Sequence, residues 1–515
     1  MKKNRLQYSL LNSSISTIIY VFRLILQFVV RTYFIKFLGA EYLGLNGLFT
    51  NILSILSLAE LGIGTSIVYS MYKPLADENR QKIRSLMQLY KKAYNYIGLL
   101  VGLIGICIIP FLKYMIKSDL SINEIYIIYI LFLLNSVVSY FFTYKRSLII
   151  ADQRSYIVSL NDFIFLLITN IIQIAVLYLY PNFIVYLSIQ IFFTFLTNLN
   201  ISRKTDKDYP YLKEDIHEKL EPETISEIKK NVIGNVSSKI GGVVVMGTDN
   251  ILISTFVSLT AVGIYSNYLL LVNSVQNLCK QVTNSITASI GNFAATTSKD
   301  KGFELFKRHL FVNHTLIFFS SVVLLNVLNP FIKLWLGPDF LLSDLNSTLI
   351  VFNFIIQVYR NTGFVFIESY GLYWHQRKKP IIEAIMNLVI SLVFLSVFKL
   401  GIAGVLLGTI ISSLGYVIWY EAYIVFKHAF DKSFFEFIKI MLNYFLQIVL
   451  SWGGASYFSR IALRDDGSVV DVIVSVIVSL ITGIIVYLSL NFKRKEFRFV
   501  VSIVGQILNK IKGKL

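Results

Sequence analysis

The sequence predicts an all-α integral membrane protein, and three observations predict it. Of 515 residues, 55% are hydrophobic and only 15% are charged, against about 25% charged in soluble domains. The mean hydropathy is +0.65. Uncharged apolar runs such as 125–144 and 472–490 reach the roughly 20 residues that a helix needs to cross the hydrocarbon core. They are too long and too uniformly apolar for the alternating strands of a membrane barrel.

About 14 spans follow in order from the loops that bound them. Span 1 (9–35) starts behind Lys2, Lys3 and Arg5. It is long and carries Arg23 and Arg31, so it reads as a retained helix and not a cleaved signal. Span 2 (42–72) ends at the basic loop 73–92. Spans 3 (92–116) and 4 (124–143) turn at 117–124. Spans 5 (156–178) and 6 (183–199) lie between basic segments 145–154 and 203–230 and turn at 180–182. Spans 7 (231–256) and 8 (261–290) precede the basic loop 299–308. Spans 9 (309–335) and 10 (345–368) turn at 337–344. Spans 11 (380–398) and 12 (403–426) run from Arg377, Lys378 and Lys379 to the loop 427–439. Spans 13 (440–458) and 14 (472–490) turn at 464–471 and lead into a basic tail.

Orientation follows from charge. With the N-terminus placed inside, inner segments hold roughly 36 of the 48 Lys and Arg residues and outer ones roughly seven. The predicted topology is therefore multi-pass, with both termini cytoplasmic. Much of the net charge of +18 is topogenic, which removes the reason to expect nucleic acid. Cys107 and Cys279 lie in apolar runs and read as core residues, with no disulfide framework and no metal site.

The Pro-containing segment 203–230 divides the chain. The expected organisation is an N-lobe of helices 1–6 (1–202), a cytoplasmic linker (203–230), a C-lobe of helices 7–12 (231–428), helices 13 and 14 (429–492), and a basic amphipathic tail (493–515) against membrane lipid headgroups. FLGAEYLGLNGLF, entering span 2, echoes FVSLTAVGIYSNYLL, entering span 8, around Gly44 and Gly263. Both halves start inside, so the repeat is parallel, an arrangement found in transporters.

A charge inside a span costs several kcal/mol on insertion scales, about 2.5–3.5 for Arg or Lys, so its presence calls for a pathway or a partner. Arg23, Gln27 and Arg31 share one face of span 1 at steps of four. Span 7 carries Lys239 and Asp249 on one stripe, span 8 carries Gln276 and Lys280, and span 10 carries Gln357, Arg360 and Glu368. Glu60 stands in the apolar LSLAELGIGTS. Polar stripes in lipid must face protein or water, which predicts a hydrated cavity of net positive charge. Such a cavity suits an anionic substrate, because Arg presents forked donors to phosphate oxygens. Other assignments compete: Arg31 and Lys280 lie near span ends where they can snorkel, Lys239 and Asp249 can belong to separate structural pairs, as can Arg360 and Glu368, and Glu60 can neutralise an arginine. No phosphate-binding loop and no sizeable aqueous loop with metal-binding acids is present in the sequence. No enzyme activity and no bound cofactor is therefore expected, with a proton or sodium gradient as the energy source.

The stretch RTYFIKFLGAEYLGLNGLFTNILSILSLAELGIGTSIVYSMYKPLA, with Glu60 before Leu61, Gly62 and Gly64, resembles the N-terminal region of bacterial oligosaccharide flippases. These form the polysaccharide transporter branch of the multidrug/oligosaccharidyl-lipid/polysaccharide exporter superfamily. ESYGLYWHQRKKPIIEAIMNLVISL, with Arg377, Pro380, Glu383 and Asn387, is similar to the same family. The resemblance implies two six-helix lobes plus two C-terminal helices. It also implies movement of an undecaprenyl-diphosphate-linked oligosaccharide from inner to outer leaflet for capsule or other surface polysaccharide. Arg23, Arg31, Lys239, Lys280 and Arg360, with Gln27, are the expected substrate-binding set. Glu60, Asp249 and Glu368 are expected in ion coupling or charge pairing. Partners implied are membrane lipids, a polysaccharide polymerase and glycosyltransferases, with the chain itself a monomer. The alternatives are a teichoic-acid or peptidoglycan precursor flippase and a cation-coupled multidrug exporter.

Overall fold

A computed structural model describes residues 5–60, 63–141, 143–214, 220–284, 290, 298–462 and 468–502. Among these residues the protein is all-α, as its composition requires: backbone polar groups in lipid must be satisfied within each segment. Eleven of the described helices are long and apolar enough to cross a membrane. The chain is a multi-pass membrane protein, and helix occupies most of the described residues of each of the 14 expected spans.

The chain forms two compact units, Met1–Gly263 and Ile264–Leu515. The first unit begins with α1 (Arg5–Leu56), which contains spans 1 and half of 2. Gly39 bends it, with φ 85° and ψ 179°, in the left-handed region that glycine tolerates. A 3-10 turn, Ser57–Glu60, follows α1 within span 2, and α2 covers Ile63–Ala76. There follow α3 (Arg80–Ile108), α4 (Ile122–Tyr140), the short α5 (Thr143–Ala151), α6 (Ser155–Leu179), α7 (Phe183–Asp208) and α8 (Pro222–Phe256). The helix α1 packs on α6 and α8, α4 on α3 and α7, and α6 on α7. The short loops deliver a side-chain cap to the next helix: Ser121 accepts from the Glu124 N–H and Asn182 from the Val185 N–H, each satisfying an amide that the first turn leaves open.

The helix α9 (Leu259–Asn284) starts at the end of the first unit. The second unit continues with α10 (Lys299–Leu336), α11 (Asp344–Ser369), α12 (Lys379–Ser396), α13 (Ile402–Ser412), α14 (Ile418–Val425), α15 (Phe435–Ala462) and α16 (Val469–Asn491). The helices α13 and α14 form one rod through a π-helical turn, Ser413–Val417, and a second π turn, Phe426–Phe430, follows α14. The helix α10 packs on α11, α15 and α16, α12 on α13, and α11 on both α13 and α14. The core is aromatic: Phe303, Phe306, Phe366, Phe426 and Phe430 meet with ring centroids 5.0–6.0 Å apart. Of the basic tail, residues 495–502 are helical and 503–515 lie outside the described residues. The Arg308 guanidinium covers the Phe499 ring at 4.8 Å.

Candidate functional site

In the first unit, the polar face of α1 places Arg23 half-buried, Gln27 exposed and Arg31 half-buried. The Arg23 Nε is closed to solvent and has no acceptor among the described residues. Arg31 is not isolated: it lies beside Tyr186 of α7. Asp249 of α8 has its Oδ1 closed to solvent with no hydrogen-bond partner among the described residues. The side chain of Lys239, on the same helix, lies outside the described residues.

Glu60 is the last residue of the 3-10 turn within span 2. Its Oε1 accepts the Tyr94 hydroxyl at 2.6 Å, and Tyr140 reaches the same carboxylate. Tyr90 stacks on Tyr94 at 5.0 Å and donates to the Gly64 carbonyl at 2.8 Å. No arginine pairs with Glu60 among the described residues. Its partners are phenols.

In the second unit, Arg360 stands in the middle of α11 and is 5% exposed. A guanidinium has five N–H donors, and all five are engaged. Nε donates to Glu421 Oε2 at 3.3 Å, and Nη1 to Gln357 Oε1 at 3.1 Å and Glu383 Oε1 at 2.8 Å. Nη2 donates to Glu383 Oε2 at 3.2 Å and Glu421 Oε1 at 3.0 Å. The Lys379 ammonium, also buried, donates to Glu421 Oε1 at 2.5 Å and lies over the Phe364 ring at 4.6 Å. Two cations and two carboxylates thus neutralise one another inside the unit. Glu368 is exposed and takes no part in this quartet. Lys280 of α9 is close enough to Arg360 for their like charges to repel, and its ammonium makes no ion pair or hydrogen bond among the described residues.

Sequence reasoning singled out Arg360 and Glu60 but missed what holds them. Glu421 sits in the uncharged run SLGYVIWYEAYIVF, the same signal that drew attention to Glu60. Tyr94 and Tyr140 gave no signal, because tyrosine is ordinary in apolar spans. The buried histidines also went unread. His309 contacts the Thr362 hydroxyl at 3.1 Å and the Thr283 carbonyl at 3.2 Å, and His314 bridges Tyr359 and Gln447 at 2.7 and 3.1 Å.

No protein-family profile and no curated protein matches the sequence. Solved structures do match. One is described as the lipid II flippase MurJ in an inward closed conformation, at TM-score 0.62 and 16% identity, covering 92% of this chain and 99% of that one. Another is an inward-facing multidrug resistance MATE family transporter of the MOP superfamily, at TM-score 0.61 and 12% identity, covering 78% and 94%. A mutant of the Vibrio cholerae MATE transporter VcmN follows at TM-score 0.53 and 12% identity, covering 83% and 99%. Over nearly the whole length of these proteins, this chain has the fold that MATE transporters and the MurJ flippase share.

Proposed function

We propose that this protein is a flippase that carries an undecaprenyl-diphosphate-linked oligosaccharide from the inner to the outer leaflet by alternating access, for capsular or other surface polysaccharide. The observation that carries the reading is Arg23: a span cation whose Nε is shut away from water and unmatched by any described acceptor. A buried donor left unmatched costs about 1–3 kcal/mol, and a diphosphate oxygen would remove that penalty. Within the first unit the cations Arg31 and Lys239, with the Gln27 amide, join Arg23 in holding the diphosphate and acidic sugars, and Lys280 of the second unit is a further substrate-binding candidate. Arg360, with every N–H engaged, positions helices instead of touching phosphate. Glu60 or Asp249 takes the coupling ion, and Glu368, being exposed, is left to charge pairing. Glycosyltransferases supply the substrate, a polymerase consumes it, and the protein works as a monomer in the cytoplasmic membrane with both termini inside.

The test is translocation of a fluorescent polyprenyl-diphosphate oligosaccharide in proteoliposomes. Arg23→Ala should slow it about tenfold or more, the loss of one charge-assisted hydrogen bond, and Arg23→Lys should recover part of the rate. The likeness to a lipid II flippase supports a second reading. Transport of lipid II with no transport of the oligosaccharide would establish a peptidoglycan precursor flippase. Export of a cationic dye, with both lipids left in place, would establish a multidrug exporter.

A further inference from the structure

We infer that His375 and His428 form a binding site for a divalent transition ion of the zinc class, joining the connection between α11 and α12 to the end of α14. The site is independent of the transport reading, since neither histidine belongs to the cationic set proposed to hold the substrate.

His375 follows the 3-10 turn Leu372–Trp374, and His428 lies in the π turn Phe426–Phe430. Both side chains are exposed. Their ring centroids are 4.0 Å apart, with the planes tilted by 32°. The two histidines stand far apart in the sequence, so none of the short ligand spacings of a zinc motif announces them. Folding alone brings the rings together.

The backbone on each side is already held. The His375 N–H donates to the Leu372 carbonyl at 3.1 Å, and the His375 carbonyl accepts the Tyr420 hydroxyl at 3.2 Å. Four residues on, the buried Lys379 ammonium donates to Glu421 at 2.5 Å. The connection is thus fastened to α14 at two points. On the other side, Phe426, Ala429 and Phe430 are buried around the exposed His428, and a π turn is a local departure from α-helix that recurs at functional sites. Ligands fixed before the ion arrives are what a metal site needs.

At neutral pH an ordinary imidazole, with a pKa of about 6.5, is mostly uncharged and keeps one nitrogen lone pair. Such a ligand suits zinc, copper or nickel, whereas magnesium and calcium take oxygen. Zinc–nitrogen bonds of about 2.0–2.1 Å hold two nitrogens about 3.3 Å apart around a tetrahedral ion. Rings at the observed separation need only a small rotation to meet that spacing. Among the described residues no group of three or more His, Cys, Asp or Glu gathers to hold a metal, so water completes the shell and the ion stays open to solvent. The neighbouring cations are engaged elsewhere. The Arg377 guanidinium covers the Trp374 ring at 3.8 Å and donates to the Trp374 carbonyl at 3.0 Å, and the Lys427 ammonium donates to the Tyr423 hydroxyl at 2.8 Å.

The experiment is calorimetric titration of zinc chloride into the full-length protein in detergent, free of any histidine tag and stripped with EDTA. One zinc per chain is expected. His375→Gln and His428→Gln should each weaken binding by at least about 10–100-fold, the loss that even an outer-shell partner causes, and the double variant should abolish it. His375→Cys, which supplies a thiolate instead, should keep it. Both positions are exposed, so melting curves in EDTA should match the wild type throughout; added zinc should raise the melting temperature of the wild type and of His375→Cys but not of the double variant. His309 and His314 are buried and His217 lies outside the described residues, so His217→Gln is the control and should bind as the wild type does. Absence of binding to the wild type overturns the site. So does binding that survives in the double variant or disappears in His217→Gln, because the ion then sits on other residues. Magnesium bound as tightly as zinc overturns the class of ligand.

Discussion

Arg23 and Arg360 are the same guanidinium in the same kind of apolar helix, and their neighbours give them opposite work. Arg360 has five N–H donors and five acceptors, supplied by Gln357, Glu383 and Glu421. Removing it would leave two buried carboxylates facing one ammonium, and breaking a buried pair of this kind costs about 3–5 kcal/mol. Arg360→Ala should therefore lower the melting temperature of the purified protein markedly. The neutral replacement of Arg360 and Glu383 together should recover much of the loss, because it leaves Lys379 with Glu421. Arg23 is the reverse case. Arg23→Ala removes a donor that has no described acceptor, so stability should hold or rise slightly while translocation falls. Melting curves beside transport rates for the two alanine variants separate a holding arginine from a binding one. Equal losses of stability would show that Arg23 is structural too.

Between elements, the echo that the sequence shows around Gly44 and Gly263 has a physical meaning, and it lies wholly within residues 1–263. A Cβ on Gly44 would stand 2.1 Å from the Leu259 carbonyl oxygen, and one on Gly263 would stand 1.9 Å from that of Ala40. Each glycine thus faces the carbonyl four residues before the other, so the start of α9 and the second half of α1 cross in a reciprocal contact. Alanine at either position must push backbone away from backbone, an overpacking worth about 1–3 kcal/mol. Gly44→Ala and Gly263→Ala should lower the melting temperature by similar amounts. Gly453→Ala in α15, where a Cβ meets nothing within 4 Å, should raise it by the equivalent of about 0.5–1 kcal/mol. Of this geometry the sequence disclosed the two glycines and their likeness, because close approach leaves a compositional trace. It concealed the straps across 203–214, because charges in a loop look alike in sequence whether or not they are paired. Asp208 takes both Arg154 and Lys204 at 2.7 Å, Asp206 takes Lys145, and Glu214 takes Arg84. Burial and a bond to the Asp152 carboxylate push the Tyr209 phenol above its ordinary range, so it stays protonated and donating. Asp208→Asn should hasten tryptic cleavage after Lys213 with little change in melting temperature, as expected for surface pairs of about 0–1 kcal/mol each.

At the scale of the molecule, apolar length and loop charge were enough to place the spans, because lipid leaves the backbone no alternative, but not the short helix Thr143–Ala151, which falls in a segment read as a basic loop. They could not show which helices share a core, since a buried face and a lipid-facing one are equally apolar. The last two helices illustrate the gap: from the sequence they are a separate pair, whereas their polar residues are buried against α10 and α11. Gln447 of α15 and Asn491 of α16 are closed off from solvent. The Asn491 amide donates to Gln447 Oε1 at 2.7 Å, His314 of α10 meets the same oxygen at 3.1 Å, and the His314 ring lies flat on Tyr444 with centroids 3.9 Å apart. His314 then reaches the Tyr359 hydroxyl at 2.7 Å, one residue before Arg360. One polar chain therefore runs from Asn491 near the end of the last span to Tyr359, the residue before Arg360. Gln447→Leu keeps the volume roughly constant but strands His314 Nε2 and the Asn491 amide, at about 1–3 kcal/mol for each unmatched group. The melting temperature should fall, and removing the stranded partners as well, in Gln447→Leu with His314→Phe and Asn491→Leu, should restore part of it. If Gln447→Leu leaves the melting temperature unchanged, α15 and α16 add no stability through this chain. A loss that the triple replacement reverses identifies the network as the link between the C-terminal pair and the rest of the second unit.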